Sequence, residues 1–162
     1  MLAVEDIIAS LGLKPLPREG GYYRETYRSG SSIGNRSLAT AIYYLLTPHT
    51  ISALHKLPSD EIFHFYCGDP VSMLQLHPDG TGRIVTIGPN IGGKQQPQVV
   101  VPAGVWQGSW LVSGGRYALL GTTMAPGFEF ADYQAGDRID LVCRYPSFRE
   151  LIQKLTTESA HA

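Results

Sequence analysis

The sequence predicts an all-β fold, a jelly roll or a two-sheet sandwich, with short α-helices at both ends. Three observations support this prediction. Roughly eight to ten short runs rich in β-branched and aromatic residues recur along the chain. Glycine (18 residues) and proline (11 residues) separate these runs, as tight turns between strands require. Several runs are apolar on both faces and therefore need cover from a second sheet or a second subunit.

The first element is a helix at 4–11, where apolar residues have helical spacing and Gly12 and Pro15 end the pattern. Strand-like runs follow it, at 21–28, 38–46, 51–55, 61–66, 71–76, 83–87, 99–101, 107–112 and 117–123. We expect 71–76 and 83–87 to form a hairpin, because the turn HPDGTG lies between them.

The C-terminal part changes from strand-like to helical patterning. Asp137 begins a segment that is typical of a helix start, and 146–155 has helical apolar spacing with a proline in its first turn. The chain contains no internal repeat and no low-complexity linker. A length of 162 residues suits one domain, so we expect 1–162 to fold as a single unit.

Composition excludes several classes of partner. Hydrophobic residues make up 43% and charged residues 17% of the chain, which permits a sizeable core. The net charge of −1 without a Lys/Arg run gives no support for binding to nucleic acid or to an anionic membrane. No apolar run could span a bilayer, and the N-terminus lacks the basic region of a signal peptide. Cys67 and Cys143 are far apart in apolar surroundings, so we expect buried free thiols in a reducing cytoplasm, with a disulfide as the alternative.

The stretch HKLPSDEIFHFYCG at 55–68 combines the residue types of a chemical site with a strand. Because side chains alternate along a strand, Glu61, Phe63 and Phe65 share one face. The opposite face consists of Ile62, His64 and Tyr66. Both faces need cover, and we therefore expect the face of Ile62, His64 and Tyr66 to form a homodimer interface.

Two stretches are similar to the sequence motifs of the cupin jelly roll, G-x5-H-x-H-x3-4-E-x6-G and G-x5-P-x-G-x2-H-x3-N. Glu61 and Gly68 match the end of the first motif, but His55 stands one residue too far from Glu61, and Ala53 occupies the place of the first histidine. In the second, PAGVWQ at 102–107 matches P-x-G-x2-H with Gln107 in place of the histidine. The predicted hairpin lies between them, as it does in cupins.

The chain thus resembles the cupin superfamily, and more closely a small family of uncharacterised single-domain cupin-like proteins. The phrases SDEIFHFYCGDP, VVPAGVWQG and PGFEFADYQAGDR are similar to that family, and the likeness extends over 11–145. The resemblance implies a double-stranded β-helix, or jelly-roll barrel, with peripheral helices at both termini. It implies no agreed reaction.

The resemblance also raises the question of a metal centre. A cupin metal site normally uses three imidazoles and one carboxylate, whereas this chain offers His55, Glu61 and the weak amide carbonyl of Gln107. We therefore expect no tightly bound metal and no cofactor.

Without a metal, an imidazole and a carboxylate in an apolar barrel perturb each other's pKa values, which suits proton transfer. We expect His55 and Glu61 to be the catalytic groups of an isomerase- or epimerase-like enzyme, as in the metal-free sugar-nucleotide epimerases of the superfamily. The substrate is then a sugar or a small organic acid in the barrel, oriented by Gln107. Three alternatives stay open: a non-catalytic binding or sensor module, a metal-dependent oxygenase or decarboxylase, and a structural His55–Glu61 pair. The other expected ligand-contacting residues are Phe63, Phe65, Trp110, Tyr44 and Glu129.

Overall fold

The computed structural model describes residues 3–156 and contains two large antiparallel sheets. The strands are β1 (Lys14–Pro15), β2 (Tyr22–Arg28), β3 (Ser32–Ile33), β4 (Arg36–Ser37), β5 (Thr40–Leu46), β6 (Ile51–Lys56), β7 (Glu61–Gly68), β8 (Val71–Leu76), β9 (Gly82–Ile87), β10 (Gln98–Val101), β11 (Trp106–Leu111), β12 (Ala118–Met124) and β13 (Gln134–Ala135). The helices are α1 (Val4–Leu11), α2 (Arg138–Arg144) and α3 (Arg149–Leu155).

The two sheets form the jelly roll that the sequence predicts. One has six strands in the order β1-β2-β5-β12-β7-β10, and the other has five in the order β13-β6-β11-β8-β9. Buried apolar side chains from both sheets make one core between them, including Tyr44, Phe63 and Leu120 from the first and Met73 and Leu111 from the second. The apolar inner faces of the strands thus cover each other, as two packed sheets require.

The helices cover the outer faces of the sheets. Helix α1 ends at Gly12, which has φ of 60°, and its Ile7 packs against Leu45 on the outside of the six-stranded sheet. Helices α2 and α3 cover the five-stranded sheet through a second cluster that includes Leu54, Leu141 and Ile152. The hairpin of β8 and β9 also forms as predicted, and helix α2 begins at Asp137, whose side chain accepts from the backbone N–H of Asp140. No helix within residues 3–156 has the length and apolar character needed to cross a bilayer.

A β-bulge in β6 determines which of its side chains enter the barrel. Gln107 pairs with His55 and Ser109 pairs with Ser52, so β6 has one residue more than β11 over this interval. Without that residue, Ser52 and His55 would lie on opposite faces, because they are three positions apart. The bulge allows both to point inward, where each is almost fully buried, while Leu54 faces the helices.

The expected burial of the two cysteines is wrong. Cys67 and Cys143 are both exposed and free. Cys67 follows an irregularity in the pairing of β7 with β12, where Leu119 opposes Cys67 but Leu120 opposes Phe65. Because of this shift, the alternation of inward-facing and outward-facing side chains along β7 does not continue to Cys67. Cys143 lies on α2, next to the exposed Arg144 and on the side away from the buried Leu141 and Val142.

Candidate functional site

A cavity of about 260 Å³ opens at one end of the barrel and is lined largely by the six-stranded sheet. Its wall contains four carboxyl groups, those of Glu19, Glu25, Glu61 and Glu129, and one guanidinium group, that of Arg28. The rest of the wall is mostly apolar or aromatic. An enclosed, largely apolar space with a few convergent polar groups is the usual form of a small-molecule site.

Glu61, the first residue of β7, is a buried carboxyl group in this wall, with 7% of its surface exposed. Gln107 Nε2 donates to Glu61 Oε2 at 2.7 Å across the gap between the sheets. Burial and the nearby charge of Glu19 raise the pKa of Glu61, against the opposing effects of His55, the Thr122 hydroxyl and the Gln107 amide. Glu61 is therefore suited to hold a proton at a pH where an ordinary glutamate has lost it.

A second carboxyl group, that of Glu19, lines the same cavity and contacts His55. The Ser52 hydroxyl donates to Glu19 Oε1 at 2.8 Å, and His55 Nε2 lies 3.8 Å from Glu19 Oε2. His55 Nδ1 donates to the Ala53 carbonyl at 2.8 Å, which assigns the ring proton to Nδ1 in the neutral imidazole. The His55 ring also stacks on Tyr133, with centroids 4.9 Å apart. The imidazole thus has a fixed orientation, with Nε2 directed at Glu19.

The position of Glu19 depends on the glycine that follows it. Gly20 has φ of 99°, and a Cβ there would lie 2.4 Å from the Ile51 carbonyl oxygen. The absence of a Cβ lets the backbone at 19–20 lie close to β6, where the Glu19 carbonyl accepts from the N–H of Ala53 at 2.8 Å. The Tyr44 hydroxyl donates to the Gly20 carbonyl at 2.9 Å. Sequence reasoning missed Glu19. The signal was the pair of glycines directly after an acidic residue in REGG at 18–21.

At the cavity opening, the segment 127–132 is attached to the barrel by ion pairs. Arg28 donates to Glu129 Oε1 at 2.7 Å and to the Phe128 carbonyl at 2.9 Å, and two of its nitrogens each lie 2.9 Å from an oxygen of Glu25. Arg36 binds both carboxylate oxygens of Asp132, and it holds the pKa of that carboxyl below its usual value. These contacts hold Phe128 and Glu129 against the opening.

The structure brings part of the sequence-predicted set together. Tyr44, Glu61 and Glu129 line the cavity. His55 and Gln107 lie behind this wall and contact its carboxyl groups, with 1% and 2% of their surfaces exposed. Phe63 and Phe65 are not in the wall: Phe63 is buried in the core between the sheets, and Phe65 packs against that core.

Trp110, an expected ligand-contacting residue, does not line this cavity. Trp110 is three residues after Gln107 on β11, and residues an odd number apart on a regular strand face opposite sides. Its ring packs in the cluster of α2 and α3, outside the barrel, with Lys154 Nζ 4.6 Å from the ring centroid. Trp106 lies in the same cluster, so both tryptophans belong to the helix-covered face.

The donor set does not fit a cupin metal centre of three imidazoles and one carboxylate. Within the described residues, no three His, Cys, Asp or Glu side chains are grouped so that they could hold a metal ion. His55 uses Nδ1 for the Ala53 carbonyl, and Gln107 directs its NH₂ group, which is not a metal ligand, at Glu61. We therefore derive no chemical step through a metal.

Comparison with known proteins places these features in a family. The family model described as "Cupin superfamily (DUF985)" matches residues 5–136. The chain belongs to this cupin family. Among curated relatives, the uncharacterized protein YML079W of Saccharomyces cerevisiae is 32% identical over 135 residues, which cover 72% of this chain and 67% of the yeast protein.

Solved structures agree with the cupin fold. Protein SO0799 from Shewanella oneidensis matches with a TM-score of 0.90 and 32% identity, covering 97% of this chain and 99% of the other. A hypothetical protein from Leishmania major matches with a TM-score of 0.89 and 30% identity, covering 97% of this chain and 100% of the other. Oxalate decarboxylase from Bacillus subtilis is similar in fold alone, with a TM-score of 0.57 and 14% identity over 88% of this chain and 37% of the enzyme.

Proposed function

We propose that this cupin binds a small polar molecule in the cavity and catalyses proton transfer on it without a metal, as an isomerase or epimerase does. The observation that supports this proposal is the pair of carboxyl groups of Glu61 and Glu19 in the wall of one small cavity. Their surroundings differ, since Glu61 is deeply buried, whereas Glu19 has Ser52 and His55 beside it. Two titratable groups in unlike environments suit an acid and a base of one reaction.

In this mechanism Glu61 is the acid and Glu19 is the base. Glu19 removes a proton from a carbon next to the substrate's carbonyl group, and Glu61 donates its proton to the carbonyl oxygen. A proton then returns to a carbon of the substrate, and the substrate oxygen loses the proton that it received. The isomerisation is then complete with no net change in protons. His55, expected from the sequence to be one of two proton-transfer groups, lies behind the cavity wall with Nε2 3.8 Å from Glu19 Oε2, and it is a positioning residue in this mechanism. Gln107 orients the Glu61 carboxyl group.

Solvent-hydrogen exchange tests this proposal. Sugars and small keto and hydroxy acids are incubated with the protein in D₂O, and incorporation of deuterium at carbon is followed by NMR. We expect exchange in at least one compound, and we expect Glu61→Gln to abolish it, because the amide has no proton to donate as an acid. Glu150→Gln, on the exposed side of α3, is the matched control and should leave exchange unchanged. An equal exchange rate in Glu61→Gln, or no exchange in any compound, contradicts the proposal.

A non-catalytic binding module is the second candidate. The observation that favours it is the attachment of segment 127–132 to Arg28 and Arg36, which encloses the cavity and suits retention of a ligand. The two candidates differ in one respect: a bound molecule that raises the melting temperature but exchanges no hydrogen indicates binding alone.

We also propose that the protein is a cytoplasmic homodimer. Helix α1 covers only part of the outer face of the six-stranded sheet and leaves β7 and β10 exposed. On this exposed part, Tyr66 and Val100 have 51% and 46% of their surfaces exposed. Val100 pairs with Ile62, so the two side chains lie on the same face. An apolar sheet face of this kind suits contact with a second copy. Two exposed thiols, those of Cys67 and Cys143, are compatible with a reducing compartment.

A further inference from the structure

We propose that the cavity selects a small hydroxylated amine, such as an amino sugar, and rejects carboxylates and phosphates. This inference rests on the proposed function, because it takes the same cavity as the ligand site, but it narrows the substrate class by charge. It also departs from the sequence-based expectation, in which a small organic acid was as acceptable as a sugar.

The charge of the cavity wall is the first argument. Four carboxyl groups and a single guanidinium group line the space. Arg28 directs its nitrogens at Glu25, Glu129 and the Phe128 carbonyl, at distances of 2.7 to 2.9 Å. A ligand carboxylate or phosphate would have to displace these contacts to obtain a cationic partner. An anion brought into the cavity without such a partner loses its hydration and faces like charges.

The other cations near the site also have partners. Arg36 forms a bidentate ion pair with Asp132. Arg18 lies over the ring of Tyr133, with its Cζ 4.7 Å from the ring centroid. Neither of these arginines is in the cavity wall. Within residues 3–156, the side chains that line the cavity therefore offer an anion no unpaired positive charge.

The hydrogen-bonding groups at the inner end are the second argument. Glu19 and Glu61 present carboxyl oxygens to the cavity. Such a set accepts more hydrogen bonds than it donates. Hydroxyl and ammonium groups supply the missing donors, whereas a carboxylate supplies none.

The aromatic groups at the opening and the size of the cavity define the ligand further. Tyr23 and Phe128 both meet the ring of Phe130 edge to face, at centroid distances of 6.4 and 5.1 Å. All three line the cavity. Aromatic faces attract cations and also pack on the apolar faces of sugar rings. The volume of about 260 Å³ suits a single ring and is too small for a nucleotide-linked sugar.

Three probes with the same ring and different charges test the inference: D-glucosamine (cation), D-glucose (neutral) and D-glucuronate (anion). Binding to the full-length protein is measured by calorimetry and by thermal shift at neutral pH and low salt. We expect glucosamine to bind most tightly, at least about tenfold more tightly than glucuronate, with glucose between them. We also expect Glu19→Gln to weaken glucosamine binding, because it removes a negative charge from the cavity wall, and Glu150→Gln to leave it unchanged.

Equal or tighter binding of glucuronate overturns the inference, and so does failure of glucosamine to bind at millimolar concentration. Undiminished binding of glucosamine in Glu19→Gln also overturns it, because the amine then lies outside this cavity. The proposed function fails separately. Deuterium exchange on an anionic substrate, abolished by Glu61→Gln, would sustain the proton-transfer function while contradicting the amine preference.

Discussion

Glu61 makes the stability of the protein depend on pH. Burial raises its pKa, so the folded protein keeps this proton to higher pH than the unfolded chain does. The contribution of Glu61 to the free energy of unfolding is therefore fully present below the usual glutamate pKa of about 4.5 and is lost as pH rises through the folded-state pKa. A tenfold difference in proton affinity between the folded and unfolded states corresponds to about 1.4 kcal/mol.

We expect Glu61→Gln to remove this dependence, because the amide is neutral at every pH and still accepts from Gln107. Urea unfolding of both proteins from pH 4 to 8 (roughly the range over which proteins are most stable) measures the difference. The variant should gain stability relative to wild type as pH rises. A difference that is constant across this range would contradict the raised pKa. Glu150→Gln, in an exposed position, serves as the control and should show no such gain.

Gln107 is the residue at which a cupin motif normally supplies an imidazole. We expect the wild-type protein to purify with well under one equivalent of iron, nickel, zinc or manganese, because an amide is a weak ligand for these ions. Gln107→His should raise the affinity for Zn²⁺ or Ni²⁺, since it places an imidazole beside Glu61 and opposite His55. Elemental analysis of untagged protein, prepared without chelator, measures both. Stoichiometric metal in wild type that is lost in His55→Ala would contradict the account.

At the scale of elements, the turn between β1 and β2 determines where Glu19 lies. A Cβ at Gly20 would clash with the backbone carbonyl of Ile51, and the residue also has positive φ. We expect Gly20→Ala to reduce the free energy of unfolding by about 3 kcal/mol or more. Gly80→Ala is the matched control, because Gly80 has φ of 88° with no atom near the position of a Cβ. It should cost only about 1–2 kcal/mol. Equal losses in the two variants would show that the close approach at Gly20 does not matter.

Some elements were predictable because their determinants are local. The hairpin of β8 and β9 follows from two apolar runs and a glycine-containing turn, and α1 follows from helical spacing that ends at Gly12. The bulge in β6 has no such local signal, since it depends on pairing with β11, which is far away in the sequence. For this reason the sequence predicted His55 in the barrel but not Ser52 beside it. The position of Trp110 outside the cavity was predictable from local information, because strict alternation along the strand from Gln107 places Trp110 on the opposite face.

At the scale of the whole molecule, the outer sheet face predicts self-association. We expect the wild-type protein to be a dimer at micromolar concentration, and Val100→Lys to dissociate it, because a charge would be buried against the second copy. Ile139→Lys is the control: Ile139 is also exposed but lies on α2, away from this face. Sedimentation velocity measures all three proteins. A monomeric wild-type protein, or equal dissociation by the two substitutions, would contradict this interface.

The fold as a whole was predictable, whereas the chemistry of the cavity was predictable only in part. The motif around Glu61 and the sequence around Gln107 indicated a cupin, and the family match agrees. Glu19, however, comes from the turn after β1, outside both motifs, and enters the cavity only through the tertiary contacts of Gly20 and Ala53. Long-range contacts of this kind cannot be inferred from residue spacing.

A direct titration of Glu61 tests the central claim, that the cavity keeps a protonated carboxyl group next to a second carboxyl group. The carboxyl carbon of Glu61 is followed by NMR as a function of pH, and its signal is assigned from its loss in Glu61→Gln. We expect a midpoint above the usual value of about 4.5, and a lower midpoint in Glu19→Gln, because the charge of Glu19 helps to raise this pKa. A midpoint at the usual value, unchanged by Glu19→Gln, would contradict the account.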